Sequence, residues 1–136
     1  MALFGPLRFL YVGSDDTDRD VAWYEKGGAK KLWRYQEFGA IVAALDVGPG
    51  PLLLIADHRE AGTMLPVYEV EKLKPTVQAL MDKGWEPMGP PFGIPNGPCR
   101  MFKDPSGNEI ALFEDQRPGA IGQDRPSPSL TPRKRG

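Results

Sequence analysis

The sequence predicts an α+β fold built from two tandem βαβββ modules, and three observations carry that expectation. First, Tyr24-Glu25-Lys26-Gly27-Gly28 lies over Met81-Asp82-Lys83-Gly84-Trp85 at a displacement of 57 residues, Gly27 falling on Gly84. The same displacement puts Leu45 on Phe102 and Gly50 on Gly107. Second, each half then reads strand, helix and three strands, the apolar period switching between 2 and 3.6. Third, Phe102 runs into Asp104-Pro105-Ser106-Gly107-Asn108, a dense hairpin turn signal, and out again into Ile110-Ala111-Leu112-Phe113-Glu114.

The elements follow in order. Leu7–Val12 reads as a strand and Asp16–Lys26 as a helix whose N-terminal carboxylates suit its dipole, closed by Gly27-Gly28. Asp15-Asp16-Thr17-Asp18 lacks the glycine and distal glutamate of an EF-hand loop, so these acids read as helix caps. Strands are expected at 31–36, 40–47 and 51–56, the last two joined at Gly48-Pro49-Gly50. Residues 57–64 link the halves. In the second half 65–70 reads as a strand and 72–83 as a helix with Pro75 in its first turn. Leu73, Val77, Leu80, Met81 and Gly84 fall on one helical face. Strands at 86–89, 99–103 and 108–114 complete the module, with a Gly/Pro-rich loop from Gly89 to Pro98. One domain thus spans 1–115, with module 1 over 7–56 and module 2 over 65–114. The tail 116–136 carries four prolines, ends Arg133-Lys134-Arg135-Gly136 and has little to bury, so disorder is expected there.

Bulk properties exclude several functions. The 17 basic and 18 acidic residues nearly cancel, which argues against a charge-driven nucleic-acid partner. The longest apolar runs lie near Leu52–Ile55, far short of the roughly 20 residues of a membrane helix. The N-terminal residues show no basic region followed by a long apolar stretch, so no secretory signal is expected. The single cysteine, Cys99, cannot form an internal disulfide, and a cytoplasmic location is the expectation.

The 102–114 hairpin and the repeated βαβββ pattern over 7–114 resemble the vicinal oxygen chelate superfamily: glyoxalases, bleomycin-resistance proteins, fosfomycin-resistance enzymes and extradiol dioxygenases. The resemblance implies a curved mixed sheet around a concave pocket, often completed in a homodimer. It also implies where a metal would sit. The glutamate ligand of the metal-dependent members maps to Ala111, and the ligand five residues before Val70 maps to Leu65. The same count back from Val12 gives Leu7, or Arg8 with the register one off. None of these binds a divalent cation, whereas zinc, iron or nickel needs three or more His, Cys, Asp or Glu donors. The one histidine, His58, falls in a loop. The expectation is a site without metal or other cofactor.

Strand alternation puts Ile110 and Leu112 on the helix-covered face and turns Glu109, Ala111 and Phe113 to the cavity. Trp33 and Tyr35 share a face of the second strand, Phe9 and Tyr11 are candidates on the first, and Trp85 and Phe92 flank the Gly/Pro-rich loop. Planar ligands stack well between such rings. Arg8, Arg34 and Lys103 beside Glu69, Glu109 and Glu114 are candidate orienting groups. Cys99 reads as a small structural hydrophobe with no histidine base near it in sequence.

The expected function is therefore a metal-free binding protein for an aromatic small molecule, a drug or natural product, in the manner of bleomycin-resistance proteins. The alternative is a glyoxalase- or dioxygenase-like enzyme. It would use a non-standard metal site built from Glu69, Glu109 and His58, or acid/base chemistry at Glu69 and Glu109. A third reading is an interaction module whose function is its dimer surface.

Overall fold

The computed structural model describes residues 4–37 and 39–118. They divide into two compact units, one holding residues 9–64 and the other residues 65–118 with 4–8. The first unit contains β1 (Leu7–Gly13, from Phe9 on), α1 (Thr17–Lys26), β2 (Lys30–Glu37), β3 (Ala40–Asp46) and β4 (Leu52–Ala56). The second contains β5 (Met64–Val70, from Leu65 on), α2 (Leu73–Asp82), β6 (Pro87–Ile94), β7 (Gly97–Lys103) and β8 (Glu109–Glu114). Each is a βαβββ module with four strands in mixed pairing. The strand orders are β2-β3-β4-β1 and β5-β8-β7-β6. In each, the pair formed by the first and last strands, β1·β4 or β5·β8, is parallel and the remaining pairs are antiparallel.

The register refines the repeat. β2, β3 and β4 recur at 57 residues as β6, β7 and β8, but the helices are 56 apart, and the β1·β4 and β5·β8 registers relate the first strands by 56 as well. Val12 pairs with Ile55, and the corresponding pair is Tyr68 with Leu112, which is 56 from Val12 on one strand and 57 from Ile55 on the other. The glycine in the left-handed region after α1 is Gly28 (φ 106°), and its counterpart after α2 is Gly84 (φ 99°). Gly84 therefore answers to Gly28, not to Gly27. The cause is one extra residue between helix and following strand in the second module, 83–86 against 27–29.

Each helix covers one face of its own sheet. Val21 of α1 packs on Ala43, Leu45 and Ile55, with Val12, Tyr24 and Leu53 at the margin. Leu73, Val77 and Leu80 of α2 pack on Val70, Phe102 and Leu112, with Tyr68 and Ile110 beside them. Burying one such aliphatic or aromatic side chain contributes about 1.5–3 kcal/mol, so these clusters hold helix to sheet. The stripe on α2 is narrower than its spacing suggests, because Met81 is exposed and Gly84 lies past the helix end.

The caps differ between modules. The Asp16 carboxylate accepts the Arg19 N–H at 3.1 Å, a standard N-cap. α2 starts at Lys72, which makes no side-chain cap bond. Its Leu73 N–H instead donates to Glu114 Oε1 at 2.9 Å, so the end of β8 caps the helix. Glu114 is thereby placed on the helix side, which corrects its reading as an orienting group in a cavity. The hairpin turn is built as its residues suggest. Asp104 Oδ1 accepts the N–H groups of Ser106 and Asn108 at 2.9 and 2.8 Å, and Gly107 takes a φ of 91°.

The Gly89–Pro98 loop is a correction. Most of it is strand: β6 continues to Ile94 and turns at Pro95-Asn96 into β7. Pro90 and Pro91 lie within the register shift between Met88 and Phe92, on the strand at the end of that sheet, where missing ladder donors are tolerated. Gln116 and Arg117 N–H groups donate to Asn96 O at 2.8 and 2.9 Å, so this part of the expected tail is tied to the β6–β7 tip. The expectation of disorder over the rest of the tail falls on residues 119–136, which lie outside the described residues.

Candidate ligand-binding faces

In-register partners on neighbouring strands project to the same side of a sheet, so pairing fixes what each face displays. In the first unit the face away from α1 carries two rows. Tyr11, Leu54, Ala44 and Trp33 form one, and Gly13, Ala56, Val42 and Tyr35 the next. Phe9, paired with Leu52, precedes them. The four aromatics expected together from alternation do share this face. Phe9 is buried, while Tyr11, Trp33 and Tyr35 are half-buried. Trp33 Nε1 is buried without a hydrogen-bond partner. His58 is exposed and meets the Tyr11 ring edge-on at 6.2 Å between centroids.

Arg34 belongs to the other side. It pairs in register with Ala43, beneath α1, and its guanidinium binds Asp18 of the helix at 2.7 and 2.9 Å. The Arg34 hydrogen bonds hold the Asp18 carboxyl below its ordinary range. Arg34 is a helix-to-sheet tie, not an orienting group on the aromatic face.

In the second unit the face away from α2 also carries two rows: Glu69, Phe113, Cys99 and Phe92, then Val67, Ala111, Met101 and Met88. Glu109 and Lys103 pair beyond them. Phe113 and Ala111 are fully buried and Phe92 is exposed. Met88 and Met101, soft side chains that adapt to irregular shapes, escaped the sequence reading because the β6 register was not legible. Arg8 forms an ion pair with the Glu69 carboxylate. Glu69 stands opposite Phe113, four residues along β8 from Glu109, so their backbones lie about 13 Å apart along the strand, and the Glu69 carboxylate is engaged by Arg8.

Trp85 is elsewhere. Its ring packs edge-on against Phe102 at 5.4 Å and Phe4 at 5.8 Å, and Phe102 belongs to the α2-covered core. It borders a cleft of about 310 Å³ with Lys103, Asp104 and Ile110, not the face that displays Phe92 and Phe113. Cys99 is buried, and that burial pushes its thiol up to about 12, so it stays protonated and unreactive at neutral pH.

The family's metal can be tested against these positions. Leu65 and Ala111 are buried on the second unit's face away from α2, at 5% and 1% exposure. The corrected repeat relates Leu65 to Phe9, 56 residues earlier, and Ala111 to Leu54, 57 earlier, so Phe9 and not Leu7 is the counterpart. Phe9 and Leu54 are likewise buried hydrocarbon. Among the described residues no three His, Cys, Asp or Glu side chains gather closely enough to hold a metal ion. The four family positions, Phe9, Leu54, Leu65 and Ala111, thus offer a divalent metal no donor atom.

The arrangement has relatives. A methylmalonyl-CoA epimerase from Mycobacterium tuberculosis superposes with a TM-score of 0.70 at 16% identity, over 84% of this chain and 90% of that one. A Streptomyces coelicolor methylmalonyl-CoA epimerase in complex with 2-nitronate-propionyl-CoA gives 0.66 at 14%, over 84% and 99%. A hypothetical protein from Bacillus halodurans gives 0.64 at 13%, over 82% and 94%. At such identities the likeness speaks for the fold alone. No curated protein matches the chain in sequence. The family model that matches spans residues 7–112, nearly the whole of both modules. The chain therefore belongs to the Glyoxalase/Bleomycin resistance protein/Dioxygenase superfamily.

Proposed function

We propose that this chain is a small-molecule binding protein of its superfamily, one that captures a planar aromatic drug or natural product without a metal ion. The observation that carries the reading is the first unit's face away from α1, where Tyr11, Trp33 and Tyr35 stand half-buried around hydrocarbon. Stacking on each ring adds roughly 0.5–1.5 kcal/mol beyond area burial, so three rings add about 1.5–4.5 kcal/mol to what apolar burial supplies. Phe9 and Leu54 supply apolar floor there, as Leu65 and Ala111 do in the second unit. The reading carries a homodimeric, cytoplasmic protein as its working form, which light scattering and fractionation would check.

Titration of the purified protein with a panel of planar aromatic compounds tests it. Stoichiometric binding without turnover, unaffected by chelator, is expected, and Trp33→Ala should weaken it about tenfold or more. Binding that disappears on chelation and returns with Zn²⁺, Mn²⁺ or Fe²⁺ would overturn the metal-free reading.

The second reading is an enzyme working by acid/base chemistry, favoured by the methylmalonyl-CoA epimerases among the structural relatives. Its candidate base, Glu69, is ion-paired with Arg8 and stands far along the sheet from Glu109. Incorporation of solvent deuterium into methylmalonyl-CoA, abolished by Glu69→Gln, would favour it over sequestration.

A further inference from the structure

We propose that the cleft at the C-terminal end of α2 is a second ligand site, one that takes a small alkylammonium cation. It belongs to the second unit and lies on the helix side of that unit's strands. Gly84, Trp85 and Glu86, which follow the helix, line it together with Asp104, Pro105 and Ile110 of the β7–β8 hairpin, around about 310 Å³. Its apolar part is open to a ligand. Trp85 is 38% exposed although its ring packs edge-on against Phe102 and Phe4. Pro105 is exposed and Ile110 half-buried, and a β-carbon on Gly84 would meet nothing within 4 Å.

The charge at the cleft is one-sided. Glu86 and Asp104 are exposed acids on its wall. Hydrogen bonds from Asn108, then Ser106 and Gly107, hold the Asp104 carboxyl below its ordinary range, so it is ionised at neutral pH. Lys103 also borders the cleft, but it stands in register with Glu109, one residue out of phase with the Phe102–Ile110 pair that packs under α2. Its side chain therefore projects to the face away from the helix. The helix adds to the effect, because its C-terminus is the negative end of its dipole and its last turn carries no base. Asp82 in that turn and Lys83 at the cap, both exposed, offset one another. An anion placed here meets like charge, and a neutral molecule gains nothing from the acids. A cation clothed in methyl groups uses both parts, since an indole face attracts cations more strongly than other aromatic rings do.

Three soluble probes of one shape test this: choline, its neutral isostere 3,3-dimethylbutan-1-ol, and the anion 3,3-dimethylbutanoate. In the ¹⁵N-labelled full chain at constant ionic strength, choline should shift the Trp85 Nε1–H and Gly84 N–H resonances saturably. The alcohol should bind at least about fivefold more weakly, and the acid should leave both resonances in place. Glu86 is exposed, so Glu86→Gln should fold normally. Its choline affinity should drop about threefold while its affinity for the alcohol holds. Equal affinity for choline and the alcohol would overturn the cation and leave a merely apolar cleft. Preference for the acid would overturn it in favour of Lys103. Choline affinity unchanged in Glu86→Gln, or no shift at these resonances with any probe, would overturn the site. Co-sedimentation with phosphatidylcholine vesicles, lost in Glu86→Lys, would overturn a free small molecule in favour of a lipid-borne headgroup.

Discussion

Gly13 ends β1 where the linker crosses it, and a β-carbon there would lie 1.8 Å from the Glu60 carbonyl oxygen. Backbone, not a flexible side chain, occupies that space, so nothing yields cheaply. Gly13→Ala should lower stability by about 3 kcal/mol, read as a fall in the urea midpoint at unchanged slope. Cys99 makes a chemical prediction at the same scale. With burial pushing its thiol up to about 12, iodoacetamide at pH 8 should leave it unmodified in the folded protein. It should be alkylated promptly in urea, by intact mass. Modification of the native protein at the unfolded rate would show that the β7 face is open to reagent.

At the scale of elements, the cap on α2 comes from the far end of its own module. Glu114→Ala removes the acceptor of the Leu73 N–H, and a loss of about 1 kcal/mol is expected, as for other N-caps. Its hydrogen bonds from Gln116 and from the Leu73 backbone lower the Glu114 carboxyl below its ordinary range. A depressed carboxylate stabilises the fold at every pH above the unfolded value, and that contribution fades as pH falls through the folded value. The difference in urea midpoint between wild type and Glu114→Gln should therefore be full at pH 7 and shrink below about pH 4. A difference that stays constant into acid would mean that charge plays no part in the cap.

For the molecule as a whole, two modules repeat one architecture while the family's ligand positions in each hold hydrocarbon. Ala111→Glu alone places one carboxylate beside apolar neighbours and leaves Leu65, Phe9 and Leu54 without donors. It should not bind Zn²⁺ tightly by calorimetry, since three or four donors are required. Tight binding by that variant would show that donors from elsewhere reach the position. No helix among the described residues is long and apolar enough to cross a membrane.

Local chemistry settled most of the fold in advance. The strand and helix order of each module, the Asp104–Asn108 turn and the alternation of Ile110 and Leu112 against Ala111 and Phe113 rest on short-range patterns, and short-range sterics determine them. That Trp33 shares a face of its strand with Tyr35, and Phe9 with Tyr11, was legible for the same reason, because a strand has a period of two. What only the tertiary structure decided were features that depend on pairing between distant segments. The bulged β6 was hidden by its prolines, and the 56-residue offset of the first strand and helix shows only in the β1·β4 and β5·β8 registers. The capping role of Glu114, the turn of Arg34 toward Asp18, the placement of Trp85 against Phe102 and the unpaired Trp33 nitrogen are of this kind. A residue's own sequence neighbours set which way it points, but the chain it meets across the sheet sets what it does.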